Sequence, residues 1–205
     1  MIKNIIFDFG KVLVDYDFGK FLAIFRAYAP DDAAFEEFKE LMLRDDVYDR
    51  FDRGTVPFAE CIAQMQQENP RCAAMLGAFD TRFSEVIIGE VEGMRELMIS
   101  LKANGYRLLG LSNWSEKVYP VMKEYPDIFS LLDDMVISCE VKYIKPEPEI
   151  YHCALKKFGI EASESVFIDD KAVNIAGSKA VGIDGVVFTD TESLKAELAK
   201  RGVKF

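Results

Sequence analysis

Apolar positions follow two rhythms along this chain. Five short runs, Ile2–Phe9, Arg107–Ser112, Met135–Val141, Ser165–Asp169 and Gly185–Thr189, are dominated by apolar residues without a helical period. That is the pattern of strands covered on both faces. The last four are separated by segments with room for helices: Lys117–Glu124 as a weak candidate, Pro148–Phe158 and Val173–Val181 as better ones. Alternation of this kind predicts βαβ units and a doubly wound parallel, Rossmann-like α/β sheet. Right-handed crossovers would bring the carboxyl ends of all its strands to one edge, where open α/β sheets bind their ligands.

From about Asp15 to Glu90 the rhythm changes. Phe18, Phe21, Leu22 and Phe25 recur at helical spacing, then Phe35, Phe38 and Leu41, then Phe58, Cys61, Ile62 and Met65, then Met75, Leu76, Phe79, Phe83, Val86 and Ile87. Each stripe reads as the packed face of a helix, and no strand is evident among them. Asp52-Arg53-Gly54-Thr55 breaks the segment, and Thr55 with Pro57 suits a helix start. The expected organisation is therefore a core of residues 1–14 and 91–205, with a small helical unit, residues 15–90, inserted after the first strand.

Composition narrows the function classes. Half of the 205 residues are hydrophobic and the formal net charge is -10. An acidic surface without a Lys/Arg run repels nucleic acid, so no nucleic-acid partner is expected. A small phosphorylated molecule remains possible where a metal or a lysine supplies local positive charge. Cys61, Cys72, Cys139 and Cys153 form no Cys-x-x-Cys pair and read as reduced thiols of a cytoplasmic protein. The apolar N-terminal stretch is short and broken by Asp8, Lys11 and Asp15, which argues against a signal peptide or a membrane span. Monomer and homodimer are both compatible with the sequence.

Four polar clusters sit at or just beyond predicted strand ends. Asp8 ends Ile-Ile-Phe-Asp; a carboxylate there is costly unless paired or metal-bound, though a cap role would also explain it. Ser112-Asn113 ends Leu-Leu-Gly-Leu, and offers either an anion cradle or a helix N-cap. Lys145 stands before Pro146, in an extended approach to the next helix. Lys142 is close enough that spacing alone does not separate the two. Asp169-Asp170 ends Ser-Val-Phe-Ile, with Asn174 beyond. Two adjacent carboxylates repel each other unless a cation intervenes, and an oxygen-rich site with open positions suits Mg²⁺.

Taken together on one sheet edge, the four clusters supply a nucleophile, an anion cradle, a cation and a metal site for phosphoryl transfer. The order Asp8, Ser112, Lys145-Pro146, Asp169-Asp170 resembles the four motifs of the haloacid dehalogenase (HAD) superfamily, and the helical insert resembles its α-helical cap. Phe-Asp-Phe-Gly-Lys-Val-Leu and Leu-Ser-Asn-Trp are similar to the branch holding bacterial glucose-1-phosphatase and the phosphatase domain of soluble epoxide hydrolase. The resemblance implies a magnesium-dependent phosphatase acting on small, sugar phosphate-like metabolites. Asp8 would attack phosphorus to give an aspartyl-phosphate. Magnesium would sit against Asp8, the carbonyl of Gly10, Asp169 and Asp170. Ser112 and the N–H of Asn113 would hold phosphate oxygens, Lys145 would neutralise charge, and Asn174 would brace the acidic loop.

One position departs from the pattern. Gly10 stands where most phosphatases of the superfamily carry a second aspartate, the general acid and base. Two rival readings follow: a metal-independent 2-haloacid dehalogenase, which also lacks that aspartate, and a non-catalytic binding protein. The Asp169-Asp170 pair speaks against the first, since it would repel an anionic haloacid, and the retained motifs speak against the second. His152, inside a predicted helix, reads as structural, and Trp114 reads as packing between core and insert.

Overall fold

The computed structural model describes residues 1–205. The chain begins with β1 (Asn4–Phe7) and β2 (Val14–Tyr16). Five helices follow: α1 (Phe18–Arg26), α2 (Asp32–Met42), α3 (Asp45–Arg53), α4 (Phe58–Glu68) and α5 (Ala73–Thr81). Next come β3 (Ile87–Glu90), α6 (Met94–Ala103), β4 (Arg107–Ser112), α7 (Val118–Glu124), α8 (Pro126–Phe129), β5 (Asp134–Ile137) and α9 (Ser138–Val141). The chain ends with α10 (Pro148–Phe158), β6 (Ser165–Asp169), α11 (Ala172–Ala180), β7 (Asp184–Val187) and α12 (Thr191–Lys200).

Five strands form one parallel sheet in the order β5-β4-β1-β6-β7. The first strand in sequence is thus central, and chain direction across the sheet reverses beside it, which opens a crevice at the carboxyl edge. Register then fixes the site. Phe7 pairs with both Gly110 and Ile168. Asp8 therefore emerges level with Asp169 and one step before Ser112. Gly110 has a steric reason: a Cβ there would lie 2.6 Å from the Phe9 ring, so the chain leaving β1 folds down over β4 only because that residue has no side chain.

The two faces of the sheet pack separate apolar clusters. Ile6, Leu109, Val136, Phe167, Tyr151 and Ile175 belong to one. The other is larger and runs from Ile5, Phe7 and Leu108 through Phe9 and Trp114 into Phe21, Phe25, Phe38, Phe58 and Phe79 of the helical segment. Trp114 lies between Phe9 and Phe83, with ring centroids 6.5 and 6.3 Å away. It packs between the sheet and the helices, as the sequence suggested.

Local signals account for most element ends. Asp17 and Asp31 cap α1 and α2 by accepting from Lys20 N and Ala34 N. Asp45 and Asp46 occupy the first turn of α3, Arg50 and Arg53 its last, and left-handed Gly54 stops it. Pro148 opens α10 and Gly159 closes it.

Several elements differ from the sequence reading. The run Met135–Val141 is a strand only to Ile137, because from Ser138 the chain turns into a helical turn tied through the Ser138 hydroxyl. Val14–Tyr16 and Ile87–Glu90, where no strand was expected, pair antiparallel. Four helices, α3, α6, α8 and α12, also lie outside the expected set, and Asp52 and Arg53, read as part of a break, close α3. No helix is long and apolar enough to cross a membrane.

Candidate active site

Asp8 stands at the carboxyl end of β1, its N–H donating to Ile168 O at 2.9 Å. Its side chain is almost fully buried, and its two oxygens are used unequally. Oδ1 accepts from Phe9 N at 2.7 Å and from the Ser112 hydroxyl at 2.8 Å, and it lies 2.8 Å from Lys145 Nζ. Oδ2 has none of these partners. One oxygen is thus clamped while the other is free to react, beside a cavity that Asp8 helps to line.

Lys145 is the cation of the site. Its Nζ lies 2.8 Å from Asp8 and 2.6 Å from Asp169 and donates to Leu111 O at 3.1 Å. Burial disfavours its charge, but Asp169 and Asp8 more than offset this and raise its pKa. The main chain of Lys145 is fixed by Asn113, whose side chain accepts from Lys145 N at 2.7 Å and donates to Lys145 O at 3.0 Å. That bracing role of the Asn113 side chain was not read from the sequence. Lys142 is resolved as the decoy: its ammonium donates to Gly54 O and Cys139 O.

Asp169 and Asp170 differ in the same way as the two oxygens of Asp8. Asp169 is fully buried and saturated, accepting from Lys145 Nζ, Lys171 N and, on both oxygens at 3.0 Å, Asn174 Nδ2. Tyr151 donates to Asn174 O at 2.7 Å and holds that asparagine in place. Asp170 is only partly buried, and burial first, then the charge of Asp169, raises its pKa. Asp8, Asp169 and Asp170 each offer an oxygen, all within 4.8 Å of one another.

Burial raises the Asp8 pKa; Lys145 opposes this, Asp169 adds to it, and Ser112 pulls it down through its hydrogen bond. Three carboxylates thus share one lysine, an arrangement short of positive charge. All the donors are hard oxygens, which suits a magnesium ion rather than a thiolate-seeking metal.

Gly10 lies beside this cluster with its backbone bridged to Val14. It also lines the cavity, and a Cβ there would meet Tyr16 Cε1 at 3.4 Å, an ordinary contact. The aspartates next along the chain are engaged elsewhere: Asp15 pairs with Lys11 and Asp17 caps α1. His152 is exposed on α10, away from the cavity. All four cysteines are free.

The cavity has a volume of about 860 Å³ and two kinds of wall. Its floor is polar, made of Asp8, Ser112, Asn113, Lys145, Asp170, Lys171 and Asn174. Its other walls come largely from the helical segment and are rich in aromatic and aliphatic groups: Tyr16, Phe18, Phe21, Met42, Tyr48, Phe58, Phe79 and Phe83. Asp45, Asp49 and Asp52, spaced along α3, add carboxylates to this side. The sequence reading took Asp52 only as part of a helix break; the spacing of the three aspartates along one helix was the signal available for finding them.

Comparison with known proteins gives the family of the chain. The model of the haloacid dehalogenase-like hydrolase family matches residues 5–188. D-ribitol-5-phosphate phosphatase of Bacteroides thetaiotaomicron is 28% identical over 198 residues, covering 90% of either chain. Flavin mononucleotide hydrolase 1 of Arabidopsis thaliana is 26% identical over 113 residues, which is 55% of this chain and 46% of that protein. This chain therefore aligns with about half the length of that relative. Among solved structures, a HAD family enzyme of B. thetaiotaomicron in a magnesium complex superposes with a TM-score of 0.77 at 21% identity, over 96% of this chain and 98% of that one.

Proposed function

Since the chain belongs to the haloacid dehalogenase-like hydrolases, we propose that it is a magnesium-dependent phosphatase of small phosphorylated metabolites, with Asp8 as nucleophile. The observation that carries this reading is the asymmetry of Asp8: Oδ1 held by Phe9 N, Ser112 and Lys145, Oδ2 unengaged beside the cavity. A carboxylate oxygen fixed in direction and short of partners is a preorganised nucleophile.

Asp8 Oδ2 attacks phosphorus, the bond to the leaving oxygen breaks, and an aspartyl-phosphate forms. Water then attacks the same phosphorus, the bond to Asp8 breaks, and inorganic phosphate leaves. Ser112 and the main chain of Asn113 are the cradle for phosphate oxygens, and Lys145 keeps Asp8 charged while screening it from the incoming dianion. Asp8, Asp170 and the carbonyl of Gly10 would hold the magnesium, with Asp169 orienting Lys145 beside them. When bound, the ion supplies the positive charge that the three carboxylates and a phosphate dianion require. Asp170, whose charge burial disfavours, gains most from it.

Residues 15–90 act as the cap over this site and determine which leaving groups fit. Relatives named for ribitol phosphate and flavin mononucleotide span polyol and aromatic leaving groups. The half-apolar wall favours a leaving group with an aromatic or aliphatic face over a bare sugar. Unpaired cysteines suit a reducing compartment, the cytoplasm.

The acidic pair sets this reading apart from a haloacid dehalogenase, which needs no metal and gains nothing from Asp170. The experiment is a phosphate-release screen over phosphorylated polyols, sugars and nucleotides, with Mg²⁺ and with chelator. Release that depends on both Mg²⁺ and Asp8 is expected. Full activity in chelator would overturn the metal site, and no release from any ester would overturn the phosphatase.

A further inference from the structure

We propose that Asp52, reaching the cavity from α3, is the general acid and base of the reaction, taking the part that Gly10 has no side chain to play. The inference rests on the phosphatase reading above and names the group that moves its protons.

Of the other polar groups of the cavity, Asp45, Asp49 and Lys171 are exposed, and several more are committed or unsuited. Lys145 is held by Asp8, Asp169 and Leu111 O, and Ser112 donates to Asp8. Tyr16 is pushed up to about 12, by burial first and then by Asp170 and Asp8, which makes it a poor acid. Tyr48 is raised as well, again chiefly by burial. Asp170 belongs to the carboxylate cluster.

Asp52 lines the same cavity as Asp8 and Gly10, and its position is set by the sheet domain rather than by the helices alone. The Ser138 hydroxyl donates to Asp52 O at 2.5 Å and itself accepts from Trp114 N, two residues beyond Ser112. Arg53 grips both oxygens of Glu147, at 2.6 and 3.1 Å, and donates to Lys142 O at 3.2 Å. Gly54, at φ +61°, lies so close to Cys139 that a Cβ would stand 2.5 Å from its Cβ. Three consecutive residues are thus pinned to the loops that carry the phosphate cradle and Lys145.

The chemistry fits. Burial disfavours the Asp52 charge and pushes its pKa up to about 7; Lys171 opposes this, Asp49 and Asp8 add to it, and Lys145 lowers it. Tyr16, Tyr48 and Cys139 are further titratable groups that feel its charge. A carboxyl in that range can hold a proton for one half-reaction and take one in the next.

In the first step Asp8 Oδ2 bonds to phosphorus, the ester P–O bond breaks, and the Asp52 carboxyl gives its proton to the leaving oxygen. An alcohol departs and Asp52 becomes a carboxylate. In the second, Asp52 takes a proton from water as its oxygen bonds to phosphorus, and the P–O bond to Asp8 breaks. Hydrogen phosphate leaves, Asp8 is again a carboxylate and Asp52 again a carboxyl.

The test compares Asp52→Asn with the parent on p-nitrophenyl phosphate and on ribitol 5-phosphate, both with Mg²⁺. Nitrophenolate departs without protonation, so its first step survives, whereas ribitol phosphate should lose about 10²–10⁴ in kcat. Dephosphorylation of Asp8 is slowed in both cases, so p-nitrophenyl phosphate should show a burst of one nitrophenolate per enzyme, with phosphate trapped on Asp8. Adding Gly10→Asp to the variant should restore ribitol phosphate turnover, since the site has room for a Cβ. Ribitol phosphate turnover within threefold of the parent overturns the proposal. So does an equal loss on both esters without a burst, including loss through misfolding that Gly10→Asp does not reverse. A parent that releases phosphate from neither of these esters nor from any other in the screen above removes the phosphatase reading itself, and the proposal with it.

Discussion

Lys145 offers a direct test of how the site is held together. Its side chain is 1% exposed, between carboxylates that are 11% (Asp8) and 0% (Asp169) exposed. Lys145→Met keeps most of the apolar stem and removes the charge. Two buried carboxylates then face each other unscreened, and Leu111 O loses its 3.1 Å partner. Breaking a buried ion pair from one side costs about 3–5 kcal/mol, a large part of the roughly 5–15 kcal/mol that holds a domain folded. In a chain of this size that lowers the melting temperature by about 6–20 °C. The pH dependence has a definite sign. Burial already raises Asp8, and without the lysine, which opposes that rise, Asp8 rises further. A carboxyl raised in the folded state binds more protons there than in the unfolded chain, so stability falls as pH rises through this window. Urea titrations in chelator should therefore show the variant recovering stability from about pH 7.5 down to about pH 5. Mg²⁺ at neutral pH should recover part of it too. A variant as stable as the parent at neutral pH in chelator, with unchanged denaturant slope, would refute the reasoning.

Asp8→Asn should abolish phosphate release, by at least about 10³-fold, with melting unchanged or raised, because it removes a buried charge; acid-stable labelling of the parent but not of the variant by ³²P-substrate checks this. Asp52→Asn should also stabilise: the raised Asp52 carboxyl corresponds to about 4 kcal/mol of disfavoured charge at alkaline pH, reduced by partial exposure to about 1–3 kcal/mol, and the gain over the parent, measured by urea titration, should vanish near about pH 4. Asn113→Ala removes two hydrogen bonds to the Lys145 main chain and should lower kcat by about tenfold with little change in KM, as Lys145 loses its fixed direction. Gly54→Val meets both a positive φ and the Cys139 side chain and should cost about 2 kcal/mol or more, seen as a lowered melting temperature.

The parts of the molecule legible in the sequence are those where a local signal and the tertiary environment agree. Ser165–Asp169, Arg107–Ser112 and Pro148–Phe158 coincide with β6, β4 and α10 to the residue, because each is bounded by a sharp change of chemistry: a strand end turning polar, or proline and glycine at opposite ends of a helix. β5 was overrun because Ser138 and Cys139 are as buried as the strand before them; burial continues where extended geometry stops. β2 and β3 are too short for a period, and Ile87 continued the stripe of the preceding helix. For α6, Met94, Leu97, Met98 and Leu101 carry a clear spacing, yet the segment lies between the insert and the second predicted strand, outside the alternation of the last four strands. The motif residues Asp8, Ser112, Lys145, Asp169 and Asp170 do converge, since strand ends of a parallel sheet meet on one edge. Which lysine, which oxygen and which aspartate is free depended on distances that no spacing encodes. Asp52 carried only its spacing with Asp45 and Asp49 as a signal; its place in the site comes from contacts of Asp52 and Arg53 across some ninety residues of chain.

The antiparallel pairing of β2 with β3 bears on how such a molecule can be rebuilt. Val14 faces Glu90 in this pairing, so the chain leaves the sheet domain and returns to it at neighbouring points about 5 Å apart. Everything between is, in topological terms, a loop closed at its base. Any polypeptide whose own ends meet at that distance could be spliced there without redrawing the sheet, which makes the ribbon a natural crossover point for chimeras and for lineages that exchange one substrate-facing module for another. Because Gly10 is bridged to the same strand, a foreign module would arrive already in register with the loop that follows Asp8.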